Sequence, residues 1–334
     1  MSNKDTQIVL RDLSKFYTSG CPVSLSFGRL FGTPSALKRI EAVRGVTLSI
    51  GKGEAVGLIG PNGAGKSTIT KMLAGIMRPS SGEVIVNGRI PFKERIKHVA
   101  SIGVVFGQKT QLWWDLPVQQ SFDLLRDIYH LQPERYRRTR DNLIERLSLG
   151  AFLSRPVRQL SLGQRMRAEF AAALLREPSL VILDEPTIGL DAPAKIAVRQ
   201  FIHELVRDRG TTVLLTTHDM HDIEEIVDRV LLIGKGKILA DGPLERLRSE
   251  IFVESELQVE FAGEPSPLEL PEGISLIDQS GNRITVAFDP TKRNPAEVIS
   301  QIISGRPVTD VRLGPRSIEE FISHFYRVHG ALEA

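Results

Sequence analysis

The stretch Gly60-Pro61-Asn62-Gly63-Ala64-Gly65-Lys66-Ser67-Thr68 constrains this chain more than any other. It fits G-x-x-x-x-G-K-[ST], with Gly60, Gly65, Lys66 and Ser67 at the defining positions. An apolar run, Ala55 to Ile59, precedes it, and a helix-like pattern from Ser67 to Ala74 follows. That order predicts a strand, a glycine loop and a helix. Glycines let successive backbone N–H groups turn toward one point, and the new helix adds its positive end there. Asn62, Gly63, Gly65, Lys66, Ser67 and Thr68 are therefore the phosphate-binding candidates. Lys66 is placed to reach β- and γ-phosphates, and the Ser67 hydroxyl to ligate Mg²⁺. The chain is expected to bind a nucleoside triphosphate.

A phosphate loop alone leaves kinases, GTPases and ATPases open. Leu180-Val181-Ile182-Leu183-Asp184-Glu185 narrows the choice, because it reads as a buried strand ending in two acids. Asp184 can hold Mg²⁺, and Glu185 can polarise a water that attacks the terminal phosphate; a solvated acidic turn is the alternative. Leu160-Ser161-Leu162-Gly163-Gln164 offers a hydroxyl and backbone N–H groups at a helix start. Taken alone, it reads equally as a helix end capped by Ser161. Gly189-Leu190-Asp191 and Thr217-His218-Asp219 complete the set.

The chain has 334 residues, enough for two domains. Its 41% hydrophobic and 25% charged content is ordinary for a soluble globular protein. No run approaches the roughly 18–20 apolar residues that cross a bilayer. The polar start, Met1 to Asp5, lacks a secretory core, and the single cysteine, Cys21, excludes an intramolecular disulfide framework. These features predict a cytosolic protein without its own membrane span. The net charge of +3 is uneven: from Ile251 onward there are 7 Lys/Arg against 13 Asp/Glu. The basic first part suits anionic partners or simply reflects solvated surface.

Strands are expected at Ile8–Leu10 continuing to Tyr17, at Gly45–Ile50 and at Thr212–Thr216, and Gly82–Gly88 reads as a hairpin. Leu116–Arg176 is helix-rich by the spacing of Phe122, Leu124, Leu125, Ile128 and Tyr129. Gly234–Lys237 reads as a turn between short strands. Leu257–Phe261 and Arg283–Phe288 alternate like half-exposed strands. The organisation expected is a first domain at 1–250 and a small α+β domain at 251–334. Residues 18–41 interrupt the first domain, and about 109–176 form a helical subdomain.

Over about residues 7–245 these motifs, in this order, resemble the nucleotide-binding subunit of an ATP-binding-cassette (ABC) transporter. Gly60–Thr68 matches Walker A, Gln108 the Q-loop glutamine and Leu160–Gln164 the signature. Leu180–Glu185 matches Walker B, Gly189–Asp191 the D-loop and His218 the switch histidine. The resemblance implies an α/β fold, a RecA-like core with antiparallel β and helical subdomains. It also implies ATP and Mg²⁺ as cofactors, with Ser67, Gln108 and Asp184 at the metal.

In that family two cassettes close head to tail around two ATP molecules. Ser161, Gly163, Gln164 and Asp191 would then serve nucleotide held across the dimer. Glu185 would be general base, His218 would contact the γ-phosphate, and Gln108 would report the metal site to a membrane subunit. Tyr17 matches the aromatic that stacks on adenine, a core tyrosine being the alternative. Leu162 departs from the pattern, since many members have glycine there.

A lone cassette and the tail ending Leu313–Phe321 look like the ABC-2 exporter branch, with separate integral-membrane permease subunits and a second ATPase subunit. The complete catalytic set favours a homodimer at the cytoplasmic face of the membrane; no nucleic acid is expected. Trp113 and Trp114 lie where a permease's coupling helix should dock, or else pack the helical subdomain. The 18–41 insertion is either an amphipathic lipid-surface helix or an extended hairpin. The first resembles insertions in cell-envelope polysaccharide exporters; a soluble, non-transport ABC ATPase is the rival class. Arg135–Arg140 reads as a solvated helical face.

Overall fold

The computed structural model describes residues 5–19, 38–107, 109–217, 219–251, 254–263, 270–315 and 318–330. The chain divides into two compact units, Met1–Leu244 and Glu245–Ala334. The first opens with β1 (Thr6–Ser19), β2 (Lys38–Gly51), β3 (Ala55–Ile59) and α1 (Lys66–Leu73). It continues with β4 (Ser81–Val86), α2 (Arg95–Ser101) and β5 (Ile102–Phe106). Three helices follow: α3 (Val118–Ile128), α4 (Pro133–Arg146) and α5 (Leu162–Leu174). The unit closes with β6 (Leu180–Asp184), α6 (Ala192–Arg209), β7 (Thr212–Thr216), α7 (Met220–Ile226), β8 (Arg229–Gly234) and β9 (Lys237–Pro243).

Continuous apolar runs make the central sheet. Its order is β5-β6-β7-β3-β8-β9. The first five strands of that order run parallel, and β9 returns antiparallel through the turn at Gly234–Lys237. Every residue of β3 and β7 is buried, as expected for strands covered on both faces. The glycine loop and Asp184 both lie at the carboxyl edge of this sheet, where open α/β sheets take ligands.

A second sheet, ordered β2-β1-β4, is antiparallel. The Gly82–Gly88 stretch is not a self-paired hairpin: it supplies β4, whose partner is β1. Burial explains the difference, since Val84 and Val86 join Ile8 and Leu10 in the core. Asn87 and Gly88, at φ 51° and 73°, form only the tight turn that brings Arg89 back to Val86. The β1–β2 ladder runs beyond the expected ends, through Thr18↔Arg39 to Ser19↔Lys38. The base of the 18–41 insertion is thus a two-stranded ribbon. At its described ends the 18–41 insertion is therefore strand, as in the extended-hairpin reading, and not an amphipathic helix that includes Lys38, Arg39 and Ile40; residues 20–37 lie outside the described residues.

In the helical layer Phe122 and Leu125 are buried, whereas Leu124 and Ile128 face outward. On α4, Tyr136 is buried with the Arg126 and Arg140 guanidiniums 5.5 and 5.4 Å from its ring centre. Arg135 pairs with Glu177 and Arg140 with Asp141, so this basic run is a solvated face.

The second unit contains α8 (Leu244–Ile251, whose first residue closes the first unit), β10 (Ser255–Phe261), β11 (Ile274–Ser280) and β12 (Arg283–Phe288). Helix α9 (Pro295–Ile303), β13 (Val308–Pro315) and α10 (Ile318–Val328) complete it. The strands form an antiparallel sheet ordered β11-β12-β10-β13. Leu257, Val259 and Phe261 alternate inward and pack with Ile284, Val286, Phe288 and the α9 residues Val298 and Ile302.

Candidate functional site

The loop between β3 and α1 needs its glycines for two separate reasons. Gly63 and Gly65 have φ of 81° and 111°, a region that favours glycine. Gly60 and Gly65 are also closely approached: a Cβ on Gly60 would strike the Ile233 carbonyl oxygen, and one on Gly65 would lie 2.5 Å from that of Ala42. The resulting cradle leaves Asn62, Gly63 and Ser67 exposed at the mouth and Thr68 half-buried. The N–H groups of Thr68 and Ile69 turn back to the Gly65 carbonyl at 3.1 and 3.0 Å, which starts α1 within the loop. Lys66 is 7% exposed and donates from Nζ to the carbonyls of Gly60 and Pro61. Burial lowers its pKa, opposed by the nearby charges of Glu185 and Asp184. One cation and two acids are thereby brought together across the sheet edge.

Asp184 ends β6 in register with Thr216, whose hydroxyl donates to Asp184 Oδ1 at 2.5 Å. The next residue, Glu185, has φ 55°, and its N–H donates to the Thr216 carbonyl at 2.8 Å. Gly107 N–H donates to the Asp184 carbonyl at 2.8 Å, so the segment entering the predicted Q-loop rests on the acidic pair. A Cβ on Gly107 would run into the Glu185 carbonyl oxygen. Gly107→Ala is expected to cost about 1–3 kcal/mol of stability, read as a lower midpoint of unfolding. An unchanged midpoint would show that this backbone gives way freely.

Ser161 caps α5 in a reciprocal box: its Oγ accepts from Gln164 N–H at 3.2 Å, and Gln164 Oε1 accepts from Ser161 N–H at 3.1 Å. Asp191 caps α6 by accepting from Ala194 N–H at 3.0 Å. Both helix starts line one cavity of about 410 Å³ that also holds Gly163, Arg167 and Gly189. Leu162 lies across Gly189, where a Cβ would approach it to 2.7 Å. The capped ends therefore share one concave surface, whose lining includes no residue of the Gly60–Thr68 loop.

Tyr17 pairs with Ile40 on β2, two residues from Ala42, whose carbonyl abuts Gly65. It is 39% exposed, and its hydroxyl donates to Met77 Sδ at 3.2 Å. The ring is thus an exposed surface near the loop rather than a core residue. Gln108 and His218 lie outside the described residues.

The flanks of position 218 carry a network that the motifs did not announce. Asp222, on α7, is 0% exposed and accepts from the hydroxyls of Thr187 at 2.5 Å and Thr217 at 2.8 Å. Arg199, from α6, donates to it at 2.6 Å. Asp219 accepts from Lys195 at 2.6 Å and Arg199 at 3.2 Å. Burial works against its charge, but those cations outweigh burial and lower its pKa. The network joins the turn after Glu185, the end of β7 and the helix capped by Asp191. An acid four residues beyond His218 was the available signal.

Residues 43–188 match the family described as "ABC transporter". The ABC transporter ATP-binding protein NatA of Bacillus subtilis (strain 168) is 34% identical over 210 residues, 63% of this chain and 85% of that protein. The chain belongs to the ABC transporter family. The Nod factor export ATP-binding protein I of Neorhizobium galegae is 35% identical over 288 residues, 83% of this chain and 82% of that one. Among solved structures, the cassette MJ0796, a dimer in a post-hydrolysis state bound to ADP and Pi, superposes with a TM-score of 0.60 at 26% identity. That match covers 71% of this chain and 98% of that one. This cassette is accordingly an ATPase of the ABC type. Its loop suits an anionic phosphate, because Gly60 and Gly65 let it pack tightly against the carbonyls of Ile233 and Ala42 while the start of α1 and Lys66 lie within it. Ser67 and Asp184 are hard oxygen donors suited to Mg²⁺. Among the described residues no helix is long and apolar enough to cross a membrane.

Proposed function

We propose that this cassette is the ATP-hydrolysing subunit of an ABC-2-type membrane exporter and works as a pair of identical copies. One observation carries the exporter branch. The likeness to the Nod factor export protein spans 83% of the chain, more than the first unit contains, so it includes part of the second. A daunorubicin resistance ATP-binding protein of Streptomyces coeruleorubidus, 36% identical over 210 residues, agrees with it.

In this reading the β3–α1 loop holds the ATP phosphates through the backbone of Asn62, Gly63, Gly65 and Thr68 and through Lys66. Ser67 and Asp184, with Gln108, would hold Mg²⁺, which would supply positive charge against the triphosphate. The Glu185 carboxylate takes the proton of the attacking water, and His218 meets the γ-phosphate. Tyr17 supplies its exposed ring to adenine. Ser161, Gly163, Gln164 and Asp191 of the second copy complete the site, which the placement of their shared cavity supports. Trp113 and Trp114, exposed by 37% and 48%, offer an aromatic surface to a permease subunit at the cytoplasmic face of the membrane.

Lys66→Ala should weaken ATP binding about tenfold or more, the loss of a charge-assisted hydrogen bond, in a titration with a fluorescent nucleotide. Unchanged affinity would remove Lys66 from the phosphate site. For the function itself, the chain is expected to co-purify from detergent with a membrane subunit. Full ATPase activity only in the soluble fraction, on ribosomes or DNA, would exclude the exporter reading.

A further inference from the structure

Helix α5 carries an acid in an otherwise apolar buried stretch, Ala168-Glu169-Phe170-Ala171-Ala172-Ala173. Glu169 is 3% exposed. Its carboxylate accepts from the Thr110 hydroxyl and, at 3.2 Å to each oxygen, from the N–H of Gln111. The Gln111 side-chain amide donates in turn to the Glu169 carbonyl at 3.2 Å. Closer to the start of the helix, the Arg165 guanidinium lies 5.7 Å from the centre of the Trp114 ring. Between these two points Leu112 is 4% exposed, and its N–H donates to the Thr110 hydroxyl at 3.1 Å.

The segment 110–114 follows β5 and Gly107, the latter resting on Asp184. The helix that grips it begins at Ser161, one wall of the cavity shared with Asp191. A buried carboxylate is costly unless donors surround it. An alanine at 169, like its neighbours, would avoid that cost but leave the donors of residues 110 and 111 without this acceptor. Burial pushes the Glu169 carboxyl up in pKa, and the hydrogen bonds from Thr110 and Gln111 only partly counter it.

We propose that Glu169 is a positioning residue that clasps segment 110–114 to α5, so that this segment and the Ser161–Gln164 turn move as one body when ATP binds. The movement rests on the ATPase reading above; the clasp itself does not. The arrangement gives the aromatic surface of Trp113 and Trp114 a direct connection to the turn that meets a second copy's nucleotide.

The chain contains two tryptophans, Trp113 and Trp114, and both lie on the clasped segment. Their fluorescence reports on it alone. In the full-length chain without nucleotide, Glu169→Ala should raise acrylamide quenching about twofold or more, because the segment opens locally. With a non-hydrolysable ATP analogue and Mg²⁺, the wild-type emission should change and the Glu169→Ala emission should not. A fluorescent nucleotide should still bind that variant with an affinity within about twofold of wild type, as expected for a change outside the contact surface. Glu169→Gln, whose amide oxygen still accepts a hydrogen bond, should behave like wild type in all of these measurements.

Wild-type quenching together with a wild-type nucleotide response in Glu169→Ala would overturn the proposal. So would a parallel loss of nucleotide affinity and tryptophan response, which would make Glu169 a general structural residue. If the wild-type chain bound no nucleotide, the ATPase reading would fail, and the quenching contrast would still decide the clasp.

Discussion

Glu185→Gln is expected to lower ATP turnover by about 10²–10⁴-fold while leaving nucleotide affinity close to wild type. The amide keeps the size and most of the hydrogen-bonding capacity of the acid, so the backbone has no reason to move. That backbone is held independently of the side chain: Glu185 N–H donates to the Thr216 carbonyl at 2.8 Å. The adjoining Gly107 is bonded to Asp184. What the amide cannot do is accept a proton from water. Lys66 loses one of the two acids that favour its charge and keeps the other, Asp184, so it remains able to bind phosphate. Binding without hydrolysis should also accumulate the closed pair of cassettes. The checks are phosphate release, titration with a fluorescent nucleotide, and light scattering with and without ATP. Turnover near the wild-type rate would remove Glu185 from the role of base. Lost turnover without an ATP-dependent dimer would instead count against closure around shared nucleotide.

The parts of this site that are legible in the sequence are those whose chemistry is local. Gly60 to Thr68 carries its own strand, turn and helix, and Asp184 and Glu185 end an apolar run that has no other way to be buried. The capping box of Ser161 and Gln164 is also local, which is why the helix-cap reading and the nucleotide reading could both be drawn from the same five residues. The geometry shows the cap and places it in a cavity with Asp191. The turn signal at the end of Gly82–Gly88 resembles a hairpin, whereas the pairing of this stretch is decided by β1, far away in sequence. Glu169 and Asp222 were missed for the same reason. Their partners, Thr110 and Gln111 for one and Thr187 and Arg199 for the other, are brought close only by the folded sheet and helices. The β1–β2 ribbon beyond Gly45 matches the extended-hairpin reading, but periodicity alone does not mark it, because Arg39 and Lys38 do not alternate with apolar residues as a half-buried strand would.

Asp222→Ala is expected to cost about 3 kcal/mol of stability, the lower end of what is seen when one member of a buried ion pair is removed. Arg199, 8% exposed, would be left without its 2.6 Å partner. Asp219 at 3.2 Å and Glu225 at 3.7 Å compensate in part, which keeps the loss from being larger. The hydroxyls of Thr187 and Thr217 lose their common acceptor as well. If the ion pair is the source of the loss, replacing Arg199 by methionine in an Asp222→Leu background should be less damaging than the sum of the two single changes. A coupling of roughly 1–3 kcal/mol in the double-mutant cycle is the expected size. Urea unfolding followed by circular dichroism measures it. Additive losses would assign the damage to packing rather than charge. The same network ties the turn after Glu185 to α6, so turnover in Asp222→Ala should fall while the KM for ATP stays near wild type. Glu185→Gln, by contrast, should lose turnover with no loss of stability, because it removes a proton acceptor and leaves the network whole.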